Sequence, residues 1–176
     1  MIDSVMAASG SRAPRLGGAG MHNVPVPLSS LIGRSRELEG VSETLRRTRL
    51  VTLTGPGGVG KTRLATELAR RQIGRRRDGI WLVDLTAGGA DPDPAAEVAR
   101  ALDVGGSAGT APTESLRHYL SARDELLVHD NCEHVVDACA QLTAWLLGSC
   151  DGLRILATSR ESLGVSGETV WRLDSL

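Results

Sequence analysis

Eight residues, Gly55-Pro56-Gly57-Gly58-Val59-Gly60-Lys61-Thr62, constrain this chain more than any other stretch. They match G-x-x-x-x-G-K-[ST] at every defined position. Glycines let a backbone adopt positive φ and approach an anion closely. The resulting turn aims successive N–H groups inward as a nest, at the positive end of the helix that follows. Lys61 is expected to reach the terminal phosphates of ATP or ADP. Thr62 offers a hydroxyl oxygen to Mg²⁺, which prefers hard oxygen ligands. With the adjoining Arg63, these residues are the expected nucleotide-binding set.

The chain has 20 basic residues, and Lys61 is the single lysine among them. The flanks have the context the loop requires. Leu50 to Thr54 is a short apolar run that reads as a buried strand. From Lys61 to about Ile73, Leu64, Ala65, Leu68 and Ala69 recur at helical spacing. Upstream, Leu38, Val41 and Leu45 give an amphipathic helix over 34–47. Further strands are expected at 80–85, 126–129, 153–158 and 169–173. Helices are expected at 94–102, with Asp93 as N-cap and Pro94 at the first helical position, and at 113–120 and 135–147. Strands alternating with helices of this length predict a parallel sheet covered on both faces. Residues 1–22 are small, polar and Gly-rich, and read as a disordered leader ahead of a core spanning 23–176.

Asp130 closes the run Leu126-Leu127-Val128-His129, the layout of a second Mg²⁺ anchor at a strand end; the alternative is an ordinary N-cap for the next helix. His129 reads as a satisfied core residue. Asn131 follows where many fast nucleotide hydrolases carry Glu, and an amide cannot take a proton from water, so hydrolysis is expected to be slow. Glu133 lies a little further on and could substitute; its competing reading is a solvated glutamate at the start of the next helix. Arg160, at the end of the fourth strand, is expected on the γ-phosphate side, where it would sense the third phosphate. Its competing reading is a surface ion-pair residue.

Composition narrows the remaining possibilities. Aromatics number three Trp, one Tyr and no Phe, so the core must be aliphatic. A net charge of −1 gives no overall pull toward nucleic acid or an anionic membrane. Cys132, Cys139 and Cys150 have no C-x-x-C spacing and fit free thiols in a reducing compartment. No apolar run approaches the ~18 residues of a membrane span. A cytoplasmic protein is therefore expected.

With these pieces in order, residues 24 to 176 resemble the NB-ARC-like STAND ATPases of bacterial regulators, most of all the LuxR- and SARP-type regulators of actinomycetes. The similarity lies in PVPLSSLIGRSREL, LVTLTGPGGVGKTRLA, DGIWLVDL, LLVHDNCEHVVDACA and LRILATSRESLGVSGETVWRL. His129 departs from the apolar residue usual in the fourth of these segments. The resemblance implies a P-loop NTPase fold: an α/β/α three-layer sandwich on a five-stranded parallel sheet, ordered 5-1-4-3-2 by strand number. It also implies that Ile32, Gly33 and Arg34 pack on the adenine, that Lys61, Asp130 and Arg160 carry the phosphate chemistry, and that Thr62 and Asp130 hold Mg²⁺.

Such relatives are ADP/ATP switches that hydrolyse slowly. In full-length members DNA binding and self-association come from further modules, so no direct DNA binding is expected of this chain. Those modules follow the core in the family, and the chain is accordingly expected to be a truncated product or fragment. The alternative reading is a P-loop kinase acting on a small molecule or nucleotide. The cluster Arg70-Arg71 and Arg75-Arg76-Arg77 is the candidate for its mobile arginines, and it equally suits the C-terminal end of a helix, where cations complement the dipole.

Overall fold

The computed structural model describes residues 15–17, 20–27, 31–89, 92–105 and 109–175, with residues 15–17 and 20 as backbone only. A seven-stranded sheet runs through it. The strands are β1 (Arg15–Gly17), β2 (Gly20–His22), β3 (Leu50–Thr54), β4 (Gly79–Asp84), β5 (Glu125–Asp130), β6 (Arg154–Ser159) and β7 (Glu168–Arg172). Their spatial order is β1-β2-β4-β5-β6-β3-β7. From β4 to β7 every pairing is parallel. Counting only those five strands in chain order and reading from the β7 edge gives 5-1-4-3-2, the expected arrangement.

Five helices, α1 (Ser35–Arg47), α2 (Lys61–Gln72), α3 (Pro94–Ala101), α4 (Pro112–Leu120) and α5 (Val136–Ser149), flank the sheet. On one face Leu38, Val41 and Leu45 of α1 and Leu64 and Leu68 of α2 cover Val51, Leu53, Leu126, Val128 and Leu156. On the other, α3, α4 and α5 bring Val98, Leu116, Leu120, Leu142 and Leu146 against Trp81, Val83, Leu127 and Ile155. The strands are therefore apolar on both sides, as a sheet between two helical layers requires. Asp93 caps α3 by accepting from the Ala95 N–H at 2.9 Å, as its position before Pro94 predicts.

The extra strands correct the expectation of five strands and of structureless residues at 15–17 and 20–22; residues 1–14, 18 and 19 lie outside the described residues. β1 and β2 pair antiparallel, and β2 continues the sheet beside β4 through His22 and Ile80. Asn23 then takes over the pairing with its side chain. Its Nδ2 donates to the Leu82 carbonyl at 2.9 Å, while its Oδ1 accepts from the Leu82 N–H at 2.7 Å. One side-chain amide thus satisfies a backbone edge that apolar alternation gives no sign of.

Candidate nucleotide site

The Gly-rich loop leaves β3 at its carboxyl end and enters α2, so it lies where open parallel sheets build their ligand sites. Gly60 precedes α2 with φ 95°, a left-handed geometry that a Cβ would oppose. At Gly55 the constraint is closeness: a Cβ there would stand 2.6 Å from the Leu173 carbonyl oxygen. Lys61 is largely buried, and its Nζ donates to the carbonyls of Gly55 and Pro56 at 2.9 and 3.0 Å. Its ammonium is held inside the loop's own turn. Gly57 and Gly58 form the exposed tip, and Thr62 and Arg63 lie exposed on the first turn of α2.

Asp130, the last residue of β5, is buried. Its Oδ1 accepts from Thr62 Oγ1 at 2.8 Å and from Thr158 Oγ1 at 2.5 Å. Burial holds its carboxyl above the ordinary range, an effect opposed by these two hydroxyl bonds and reinforced by the nearby charge of Asp84. The structure thus brings together the two residues expected to hold Mg²⁺. Adjacent oxygens around an octahedral ion bonded at 2.0–2.1 Å lie about 2.9 Å apart. Thr62 and Asp130 have that spacing, so the residues present fit such a cation.

Asn131 adopts the left-handed conformation, φ 62° and ψ 39°. Its N–H donates to Thr158 Oγ1 at 3.1 Å and its Nδ2 to Asp84 Oδ1 at 3.1 Å. The amide is therefore a tether between the ends of β4, β5 and β6. A turn of 3-10 helix, Cys132–His134, follows. It carries Glu133, whose Oε1 lies 3.5 Å from Arg160 Nε. The Arg160 guanidinium also reaches toward the loop, with Nη2 3.8 Å from where a Gly57 Cβ would be. Beside it opens a cleft of about 510 Å³ lined by Thr54, Gly55, Pro56, Val170 and Arg172.

Of the expected adenine-side residues, Ile32 is exposed and Gly33 has φ 77°. Arg34 is buried and works as a clamp: it donates to Glu37 at 2.8 Å, to the Val59 carbonyl at 3.3 Å and to the Asp174 carbonyl at 2.7 Å. Thr158 was not singled out from the sequence. A hydroxyl following the apolar run Ile155-Leu156-Ala157, one residue short of the strand's end, was its only signal.

His129 is fully buried, with Nδ1 3.8 Å from Cys139 Sγ and Nε2 lacking a protein partner, so the satisfied core histidine expected there is satisfied on one side only. Cys139 in turn lies 3.6 Å from Cys132. The Cys132 contact, helped by His129, holds the Cys139 thiol below the ordinary range against the opposing effect of burial.

A loop closed on a buried lysine, with the Thr62 hydroxyl of the helix that follows set beside an aspartate at a strand end, defines a P-loop nucleotide-binding site on an α/β/α sandwich. The chain belongs to the AAA domain family, whose sequence model matches residues 44–162. It is 48% identical over 132 residues to the Mycobacterium tuberculosis protein named "Putative HTH-type transcriptional regulator Rv0890c", covering 75% of this chain and 15% of the relative. Regulatory protein AfsR of Streptomyces coelicolor is 35% identical over 155 residues, covering 78% of this chain and 15% of AfsR. The chain thus spans about 15% of the length of these regulators.

Among solved structures, a STAND protein with a tetratricopeptide repeat sensor from Pyrococcus horikoshii aligns with TM-score 0.56 and 18% identity, over 85% of this chain and 24% of its own. Cdc6p of Pyrobaculum aerophilum aligns with TM-score 0.55 and 20% identity, over 85% and 46% respectively. At these identities the likeness is one of fold. Among the described residues, no helix is long and apolar enough to cross a membrane.

Proposed function

We propose that this chain is the ATP/ADP-binding switch core of a signal-responsive transcriptional regulator of the NB-ARC-like STAND type, with slow Mg²⁺-dependent hydrolysis. The observation that carries the reading is the 2.8 Å contact between Thr62 and Asp130 beside the Lys61 loop. When bound, Mg²⁺ would supply charge neutralisation at the phosphates, with Thr62 and Asp130 as its protein ligands. The loop's N–H groups and Lys61 bind the phosphates, and Arg160 stands near Gly57 as the group that distinguishes three phosphates from two. Ile32, Gly33 and Arg34 would border the base.

Slow turnover is supported by Asn131, whose amide is committed to Asp84. The regulatory setting is supported by the relatives' names, and DNA binding and self-association would belong to other parts of such a regulator. A kinase reading loses its footing in the arginine cluster. Arg70 and Arg71 pair with Glu67, Arg76 with Asp124 and Arg77 with Asp78.

Lys61→Ala tests the reading. Calorimetric titration with ADP and with ATP plus Mg²⁺ is expected to show binding to the parent chain and none to the variant, with unchanged far-UV circular dichroism. Equal affinities would refute it. Parent turnover is expected far below the ~10 s⁻¹ typical of enzymes, and a rate near that value would remove the role given to Asn131.

A further inference from the structure

We infer that Glu133 sets the preference between ATP and ADP by competing with the terminal phosphate for Arg160, an inference that rests on the nucleotide-switch reading above. Glu133 is mostly buried, with a side chain 14% exposed, whereas that of Arg160 is 66% exposed. One Glu133 oxygen, Oε1, faces Arg160 Nε at 3.5 Å, and the other, Oε2, is buried with no hydrogen-bond partner. A half-satisfied carboxylate in a low-dielectric setting attracts the nearest cation strongly.

The two partners differ in freedom. Glu133 is held by the 3-10 turn behind Asn131, itself tied to Thr158 and Asp84. Arg160 stands at the end of β6 beside the open cleft, so it is the partner with room to move. Its guanidinium already lies near both Glu133 and the Gly57 tip of the phosphate loop. A triphosphate extends one anionic group further than a diphosphate, and a guanidinium drawn toward Glu133 has less of its charge to offer it. ADP makes no demand on Arg160, so the Glu133 pair favours the ADP state.

Partly exposed ion pairs shift an equilibrium by about two- to fivefold. Glu133→Gln is therefore expected to raise ATP affinity by that factor at low salt, leave ADP affinity unchanged, and lose its effect at high salt. Arg160→Ala, at an exposed position, is expected to weaken ATP and spare ADP. In the Arg160→Ala background, Glu133→Gln should then change nothing. This double-variant comparison also separates competition for Arg160 from simple removal of a negative charge near the nucleotide.

All four chains are titrated with ATP and ADP in Mg²⁺, with retained ADP binding as the measure of folding. An unmoved ATP-to-ADP ratio in Glu133→Gln, or the same shift with and without Arg160, overturns the inference. If Glu133→Gln loses ADP binding as well, Glu133→Asp, which keeps the charge but shortens its reach, must give the raised ratio for the inference to stand. Failure of the parent chain to bind either nucleotide would instead overturn the switch reading itself.

Discussion

Glu125 opens β5 at the end of the sheet opposite the phosphate loop, and it is fully buried. Its Oε1 accepts from Arg123 Nη1 at 3.3 Å, while Oε2 has no partner. Desolvation pushes its carboxyl up to about 7 from an ordinary 4.5; the Arg123 charge opposes this and Asp78 adds to it. Burial and then the Glu125 charge hold the neighbouring Tyr119 phenol above its usual value. Between pH 4.5 and 7 the folded chain keeps a proton that the unfolded chain releases, so stability must fall as pH rises through this window. At about 1.4 kcal/mol per pH unit, the loss above pH 7 is on the order of 3 kcal/mol.

Glu125→Gln removes the titration while keeping the shape. Urea unfolding followed by fluorescence of the buried Trp81 would measure both chains from pH 5 to pH 8. The variant is expected to gain on the parent from pH 5 to about pH 7, then level off, and to be the more stable by about 3 kcal/mol at pH 8. Taking the difference between chains removes other groups, Asp130 among them. Glu67, held at about 2 mainly by Arg70, contributes stability that is lost only as pH falls below 4.5, outside the window. Parallel stability curves for the two chains would refute the reasoning.

Gly55→Ala would set a Cβ 2.6 Å from the Leu173 backbone oxygen at a residue with φ 150°; a loss of about 1–3 kcal/mol in urea unfolding, together with weaker ADP binding, is expected. Thr158→Val keeps the shape but removes the 2.5 Å bond to the buried Asp130 carboxylate. A stability loss of about 1.5–3 kcal/mol is expected, along with weaker Mg²⁺-dependent ATP binding in calorimetry.

Sequence alone was informative where contacts are local or periodic. The helical spacing of Leu38, Val41 and Leu45 is the buried face of α1, and the loop motif carries its own strand and helix. What it could not convey depends on residues far apart in the chain. Arg34 reads as part of a turn near the base, yet its partners include carbonyls 25 and 140 positions away. Neither carbonyl has a side-chain identity that a sequence could mark. β2 escaped because a single register pair and the Asn23 amide join it to β4, and one apolar residue, Met21, sets no alternation. The pairing of Asp130 with Thr62 follows from motif order, whereas its bond to Thr158 depends on β5 and β6 lying side by side.

That last contact makes Asp130 more than an anchor. Thr62, on the first turn of α2, and Thr158, near the end of β6, both donate to the same carboxylate oxygen. Thr158 has one proton, already given to Asp130, and its oxygen accepts the Asn131 N–H. Asn131 in turn ties its side chain to Asp84 at the end of β4. A continuous chain of hydrogen bonds therefore runs from the phosphate-loop helix across three strand ends. It stops one residue short of the turn that carries Glu133. A ligand that draws the Thr62 hydroxyl away would leave Thr158 as the remaining hydroxyl donor to Asp130. Asn131, whose backbone N–H meets the same Thr158 oxygen, is a non-glycine residue held in the left-handed region. The hydrogen bonds thus run from Thr62 to Asn131, the residue that immediately precedes the turn bearing Glu133.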